Sequence, residues 1–146
     1  MHFLDTNIVL RLFIAADPDH ELIRRTIDIL ESRGEELVIC LQVLVETWVV
    51  ATRPVRNNGL GWPVETALEV VSAVRSRFGC LLDDETTSVR WASMVERHTI
   101  CGKRAHDARI AALMQSHDIS RIVTLNDQDF AGLNGIIAIH PRTIAG

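Results

Sequence analysis

The chain is short of cysteine, of lysine and of long apolar runs, and each shortage removes a class of protein. Its three cysteines, Cys40, Cys80 and Cys101, are odd in number and widely spaced, with no C-x-x-C pair. That disfavours a disulfide framework and a structural zinc site, and leaves the cysteines as small apolar core residues. His98 and Cys101 lie near one another, but without a second such pair they read as helix-end and loop residues. No run of about eighteen apolar residues occurs, and the first residues lack a basic region followed by a long apolar one. Neither a membrane span nor a secretory signal is legible, so a cytoplasmic protein without membrane association is expected. Lys103 is the single lysine among 15 basic residues; the rest are arginine, suited to bidentate phosphate contacts and to ordinary ion pairs alike. The net charge of −4 argues against a protein that coats nucleic acid over its whole surface, but not against nucleic acid as a substrate.

What is present suffices for one compact domain spanning 1–146: 146 residues, 47% of them hydrophobic. Strand-like and helix-like periods alternate. HFLD at 2–5, LVICL at 37–41, GCLLD at 79–83, RIVTL at 121–125 and GIIAI at 135–139 are short apolar runs of the kind that buried parallel strands show. Between them lie amphipathic stretches: HELIRRTIDILESRG with Leu22, Ile23, Ile27 and Leu30 on one face; VLVETWVVATRP; VETALEVVSAVRSRF with Leu68, Val71, Val74 and Phe78; TTSVRWASMVERH; and RAHDARIAALMQSH. Strands alternating with helices predict right-handed crossovers and a central sheet of about five mostly parallel strands, covered on both sides. The irregular segment RPVRNNGLGWP, 53–63, reads as a long loop, either a plain connection or a flap facing substrate or a partner.

In an open parallel sheet, ligands gather beyond the carboxyl ends of the strands. Asp5 ends the first predicted strand, Glu46 sits early in the helix after LVICL, Asp107 early in RAHDARIAALM, and Asn126, Asp127 and Asp129 follow RIVTL. Each has a local explanation. Asp5 before Thr6 and Asn7 fits a helix N-cap, and Asp127 and Asp129 fit turn formers. Glu46 is harder to explain locally, because a lone carboxylate among VLV and TWVV faces the core unless something compensates it. Together the acids would repel one another unless a cation neutralised them. With no cysteine or histidine at ligand spacing, that cation would be Mg²⁺ or Mn²⁺, and the chemistry metal-dependent phosphodiester hydrolysis.

LDTN, the acid within VLVETWVV, HDARIAA and TLNDQDF, in this order, resemble the PIN domain and, within it, the VapC-like toxins of bacterial toxin–antitoxin modules, over essentially the whole chain. The resemblance implies a three-layer α/β/α ribonuclease that uses Mg²⁺ or Mn²⁺, forms a homodimer and is held inactive by a cognate antitoxin. By position it makes Asp5, Glu46 and Asp107 the metal-binding acids, with Asp127 the first choice for the fourth and Asp129 the second; Thr6 and Asn7 support the first acid, and Asn126 holds an adjoining water. In this expectation Asp5 and Asp107 hold one ion, Glu46 completes or water-bridges its shell, and the fourth acid orients the attacking water or recruits a second ion.

Lys103, Arg104 and Arg109 flank Asp107 and are candidate contacts to RNA phosphates. His106 reads as structural. Trp62 is a candidate platform for an unpaired base, whereas Trp48 and Trp91 read as core or dimer-face residues. Rival phosphate enzymes fit poorly: a dehalogenase-type site needs Asp where Asn7 stands, and a receiver needs a late lysine. A PIN-like scaffold that binds RNA or protein without catalysis is the other reading.

Overall fold

A computed structural model describes residues 1–146. Five strands form one all-parallel sheet: β1 (His2–Leu4), β2 (Leu37–Cys40), β3 (Gly79–Leu81), β4 (Arg121–Val123) and β5 (Ile137–Ile139). Their order across the sheet is β3-β2-β1-β4-β5, with Phe3 opposite Val38 on one side and Ile122 on the other. The expected α/β/α architecture is therefore observed, and each apolar run holds a strand shorter than the run itself.

Six helices connect the strands, α1 (Thr6–Phe13), α2 (His20–Ser32), α3 (Leu41–Thr52), α4 (Val64–Arg77), α5 (Glu85–Arg97) and α6 (Arg104–Ser116), and a seventh, α7 (Arg142–Ala145), follows β5. With right-handed crossovers, β1-α1-α2-β2 and β2-α3-α4-β3 cover one face of the sheet and β3-α5-α6-β4 the other. The packing agrees, since α1 touches α2 and α3, α3 touches α4, α2 touches α7, and α5 lies along α6. Phe3, Leu4, Ile39 and Ile122 form the buried centre of the sheet, between Ile8, Ile23 and Ile27 on one layer and Ile110, Leu113 and Met114 on the other. Successive connections build outward to β3 and then return across the sheet to β4. The crevice between the carboxyl ends of β1 and β4 is the resulting switch point.

Some expectations need correction. Helix α1 follows the first strand at once, where TNIVLRLF is rich in apolar residues and its helical period is hard to separate from the strand before it. The four-residue α7 is too short to show a period. Only Cys40 is buried; Cys80 lies on the edge strand β3 and Cys101 in the loop before α6, both exposed, and none is paired. Leu68 is 52% exposed, because α4 buries Ala67 and Val74 instead. Trp91 is on the surface, which removes the core reading and leaves the dimer-face one, and its indole N–H donates to the Ala105 carbonyl at 3.0 Å. Segment 53–63 is an ordered C-terminal cap of α3: a 3₁₀ turn over Val55–Asn57, after which the amides of Leu60, Gly61 and Trp62 donate to the carbonyls of Val50, Arg53 and Ala51. These are the carbonyls that a helix end leaves without partners. Gly59 is obligatory in this turn, since a Cβ there would stand 1.9 Å from the Arg53 carbonyl oxygen. No helix is long and apolar enough to cross a membrane.

Candidate active site

The carboxyl ends of β1 and β4 meet at Asp5. Its backbone N–H extends the ladder to the Val123 carbonyl, and its extended φ and ψ end the strand and begin α1 as an N-cap. One carboxylate oxygen accepts the Thr6 N–H at 2.7 Å; the other accepts the Asn7 amide at 2.6 Å and the Thr124 hydroxyl at 2.7 Å. Asn7 also reaches Thr124, and its oxygen accepts the Leu125 N–H, so the α1 start is laced to the end of β4. Thr6 and Asn7 thus both donate to Asp5.

Glu46 faces the same place from the second turn of α3. The Thr6 hydroxyl donates to one of its oxygens at 2.5 Å and the Gln42 amide to the other at 2.8 Å. Asp107 enters from the first turn of α6, and Asp129 from the 3₁₀ turn Asp127–Phe130, which buried Phe130 anchors to the core. Residues two apart in such a turn point about 120° away from each other, so Asp127 and Asp129 cannot both face inward. Asp129 is half-buried and lines the cleft; Asp127 and Asn126 are exposed and do not.

The cleft holds about 630 Å³ and is lined by Thr6, Glu46, Val49, Val50, Arg53, Lys103, Arg104, His106, Asp107 and Asp129. Asp5 is not part of the lining, but it accepts from the N–H of Thr6, which is. Burial raises the Asp5 carboxyl above its ordinary range, with Glu46 and Asp129 adding to the shift and the hydroxyl and amide donors opposing it. Asp107 is raised to about 6, first by burial and then by the charges of Asp129, Asp5 and Glu46. None of the four acids forms an ion pair, and neither Asp107 nor Asp129 accepts a side-chain hydrogen bond. Two carboxylates are therefore fixed by the fold, and two are left with open acceptor positions.

Such a set fits a hard divalent cation. All the donors are oxygen, they carry excess negative charge, and nothing in the chain neutralises them at contact distance. No three acidic, histidine or cysteine side chains close around a common point.

The remaining predicted residues separate. Lys103 and Arg104 line one wall of the cleft, and His106 lies beside Asp107. Arg109 turns away and binds Asp83 at 2.6 Å and Gln42 at 3.0 Å. Trp62 is half-buried and does not line the cleft. Sequence reasoning missed Thr124, Gln42 and Arg53. Their signals were present: Thr124 follows RIV as Asp5 follows HFL, while Gln42 and Arg53 stand four before and seven after Glu46, on its helical face.

A sequence profile of the PIN domain matches residues 2–135. The chain belongs to the PIN domain family. No curated protein sequence matches it. Among solved structures, a chain of VapBC2 from Rickettsia felis, bound to a DNA fragment from their promoter, is similar with a TM-score of 0.71 and 16% identity, over 95% of this chain and 97% of that one. A chain of the DNA-bound VapBC from Salmonella typhimurium gives 0.70 and 24%, over 96% and 97%. VapC20 from Mycobacterium tuberculosis, described as a sarcin–ricin loop cleaving toxin, gives 0.63 and 20%, over 93% and 98%. These likenesses establish a common fold for this PIN domain.

Proposed function

We propose that this PIN domain is a Mg²⁺- or Mn²⁺-dependent endoribonuclease, the toxin of a toxin–antitoxin pair, acting in the cytoplasm as a homodimer and restrained by a cognate antitoxin. The observation that carries the reading is that Glu46, Asp107 and Asp129 line one open cleft, with Asp5 held against its lining residue Thr6, all four acids coming from separate segments without an ion pair among them. The toxin assignment draws on the VapBC and VapC structures that share the fold, one of them named as a sarcin–ricin loop cleaving toxin.

In this reading Asp5 and Asp107 would hold the cation, with Glu46 completing its shell or reaching it through water. When bound, such an ion makes water a stronger nucleophile at neutral pH and stabilises charge on the phosphodiester. Asp129 orients the attacking water or helps hold a second ion. Thr6, Asn7 and Thr124 keep Asp5 in one orientation. Arg53 and the Lys103–Arg104 pair, on the cleft walls, take the flanking phosphates.

The test is incubation of purified protein with structured RNAs in Mg²⁺ or Mn²⁺, beside chelated samples and the Asp5→Asn and Asp107→Asn variants. Cleavage is expected only with metal and intact acids. Cleavage surviving in both variants would overturn the reading, and so would no cleavage of any RNA in a wild-type sample that binds RNA, which would favour a silent scaffold.

A further inference from the structure

Arg109, beside Asp107 in sequence, is turned away from the cleft and occupied on two sides. One guanidinium nitrogen donates to Asp83 at 2.6 Å, just beyond β3, and the other to the Gln42 side-chain oxygen at 3.0 Å. The Gln42 amide nitrogen donates onward to Glu46 at 2.8 Å and also lies 3.3 Å from the His106 carbonyl, on the helix that carries Asp107. The Thr6 hydroxyl takes the other Glu46 oxygen at 2.5 Å, and Thr6 N–H reaches Asp5 at 2.7 Å. A continuous line of hydrogen bonds therefore crosses the carboxyl edge of the sheet, from the end of β3 to the first acid.

The chemistry of the line fixes its direction. Arginine offers only donors, and ionised carboxylates only acceptors. Gln42 lies between them and satisfies both in a single amide orientation, oxygen toward Arg109 and nitrogen toward Glu46. Rotating the amide by half a turn would oppose donor to donor at Arg109 and oxygen to oxygen at Glu46.

We propose that Asp83, Arg109 and Gln42 are positioning residues that lock the Glu46 carboxylate toward the cleft, so that Arg109 serves the acid cluster rather than an RNA phosphate. The proposal rests on the metal-site reading above. A residue that orients a ligand from behind typically changes metal affinity about 10–100-fold when removed. A phosphate contact acts differently: its loss raises KM for RNA and lowers the salt dependence of binding by about one counterion.

The experiment measures Mn²⁺ affinity by electron paramagnetic resonance in the absence of RNA, for wild type, Asp5→Asn, Arg109→Met, Arg109→Lys, Gln42→Met and the Arg109→Met/Gln42→Met pair. Melting curves check that each variant is folded. Arg109→Met and Gln42→Met are each expected to weaken Mn²⁺ about 10-fold, the double variant no further, and Arg109→Lys, which keeps one donor arm, less than Arg109→Met. RNA binding in chelator should keep its wild-type salt slope in all of them. Mn²⁺ bound by wild type, lost in Asp5→Asn and unchanged in the Arg109 and Gln42 variants would overturn the proposal alone. A reduced salt slope in Arg109→Met with unchanged Mn²⁺ affinity would return Arg109 to phosphate binding. No saturable Mn²⁺ binding by wild type would overturn the metal reading and the proposal with it.

Discussion

Replacing Asp107 by asparagine should make the chelated protein more stable at neutral pH, although the side chain is central to the site. In the folded protein the Asp107 carboxyl is raised from 3.8 to about 6 by burial and by Asp129, Asp5 and Glu46. Its ionised form therefore opposes folding. Between these two values the folded state binds more protons than the unfolded one, so metal-free stability falls as pH rises through that window. The contribution is nil below about pH 4 and complete above about pH 7. At full strength the shift corresponds to ~3 kcal/mol. Asp107 is only half-buried, and solvent screening reduces the figure to ~1.5 kcal/mol. For a chain of this length that is roughly 3–6 °C in Tm. The assay is thermal unfolding in EDTA at pH 7.5 and pH 4, with Asp107→Asn expected to melt higher at the first and level with wild type at the second. Mn²⁺ at about a hundred times the wild-type Kd should reverse the order at pH 7.5, because ligand binding to the folded state then adds about 2.7 kcal/mol, more than the ~1.5 kcal/mol advantage, and the variant loses most of it. The reasoning fails if Asp107→Asn melts lower in EDTA at pH 7.5, or if its advantage persists at pH 4.

Asp129→Asn should lower metal-dependent RNA cleavage at least about 100-fold, on the scale of a lost transition-state charge interaction, while Asp127→Asn stays within about twofold; equal losses would contradict the assignment of the cleft-facing acid. Thr124→Val removes a buried hydroxyl that serves Asp5, Asn7 and the Asn126 N–H, and urea unfolding should register a loss of about 1–3 kcal/mol. Gly59→Ala drives a methyl into the Arg53 carbonyl, so a loss of about 1–3 kcal/mol is expected, with weaker RNA binding as Arg53 shifts.

The central strands were legible because they are buried on both faces, and burial on both faces leaves a continuous apolar run that needs no partner to be recognised, whereas the edge strands β3 and β5 are partly exposed. β1, β2 and β4 follow this most fully, with Phe3, Leu4, Ile39 and Ile122 inaccessible to water. α1 was less legible for the same reason: Ile8 and Val9 are as buried as the strand before them, and what separates the two elements is the single N-cap at Asp5. The cluster of acids could be anticipated from the strand ends, since topology alone places those ends together. The choice between Asp127 and Asp129 could not, because it depends on the phase of a four-residue turn pinned by Phe130. The contacts of Arg109 with Asp83 and Gln42 were not legible for a related reason. Its neighbour Asp107 faces the cleft, and two residues along a helix point to different sides.

The two explanations offered for Asp5, helix cap and functional acid, are not alternatives. A carboxylate presents about four acceptor positions, and Asp5 spends three on Thr6, Asn7 and Thr124. Local structure thus fixes this acid against the lining of the cleft, whereas Asp107 and Asp129 keep their acceptor positions open toward the cleft. Removing a fixed acid and removing an open one should therefore have opposite consequences in the absence of metal. Asp5→Asn relieves repulsion but presents an amide N–H₂ to groups that are themselves donors, and an unmet buried donor costs about 1–3 kcal/mol. Asp107→Asn relieves repulsion and disturbs no hydrogen bond. In EDTA at pH 7.5 the first variant should melt below wild type and the second above it. Equal gains in both would mean that repulsion outweighs the cap and its three donors, and the division into fixed and open acids would have to be abandoned.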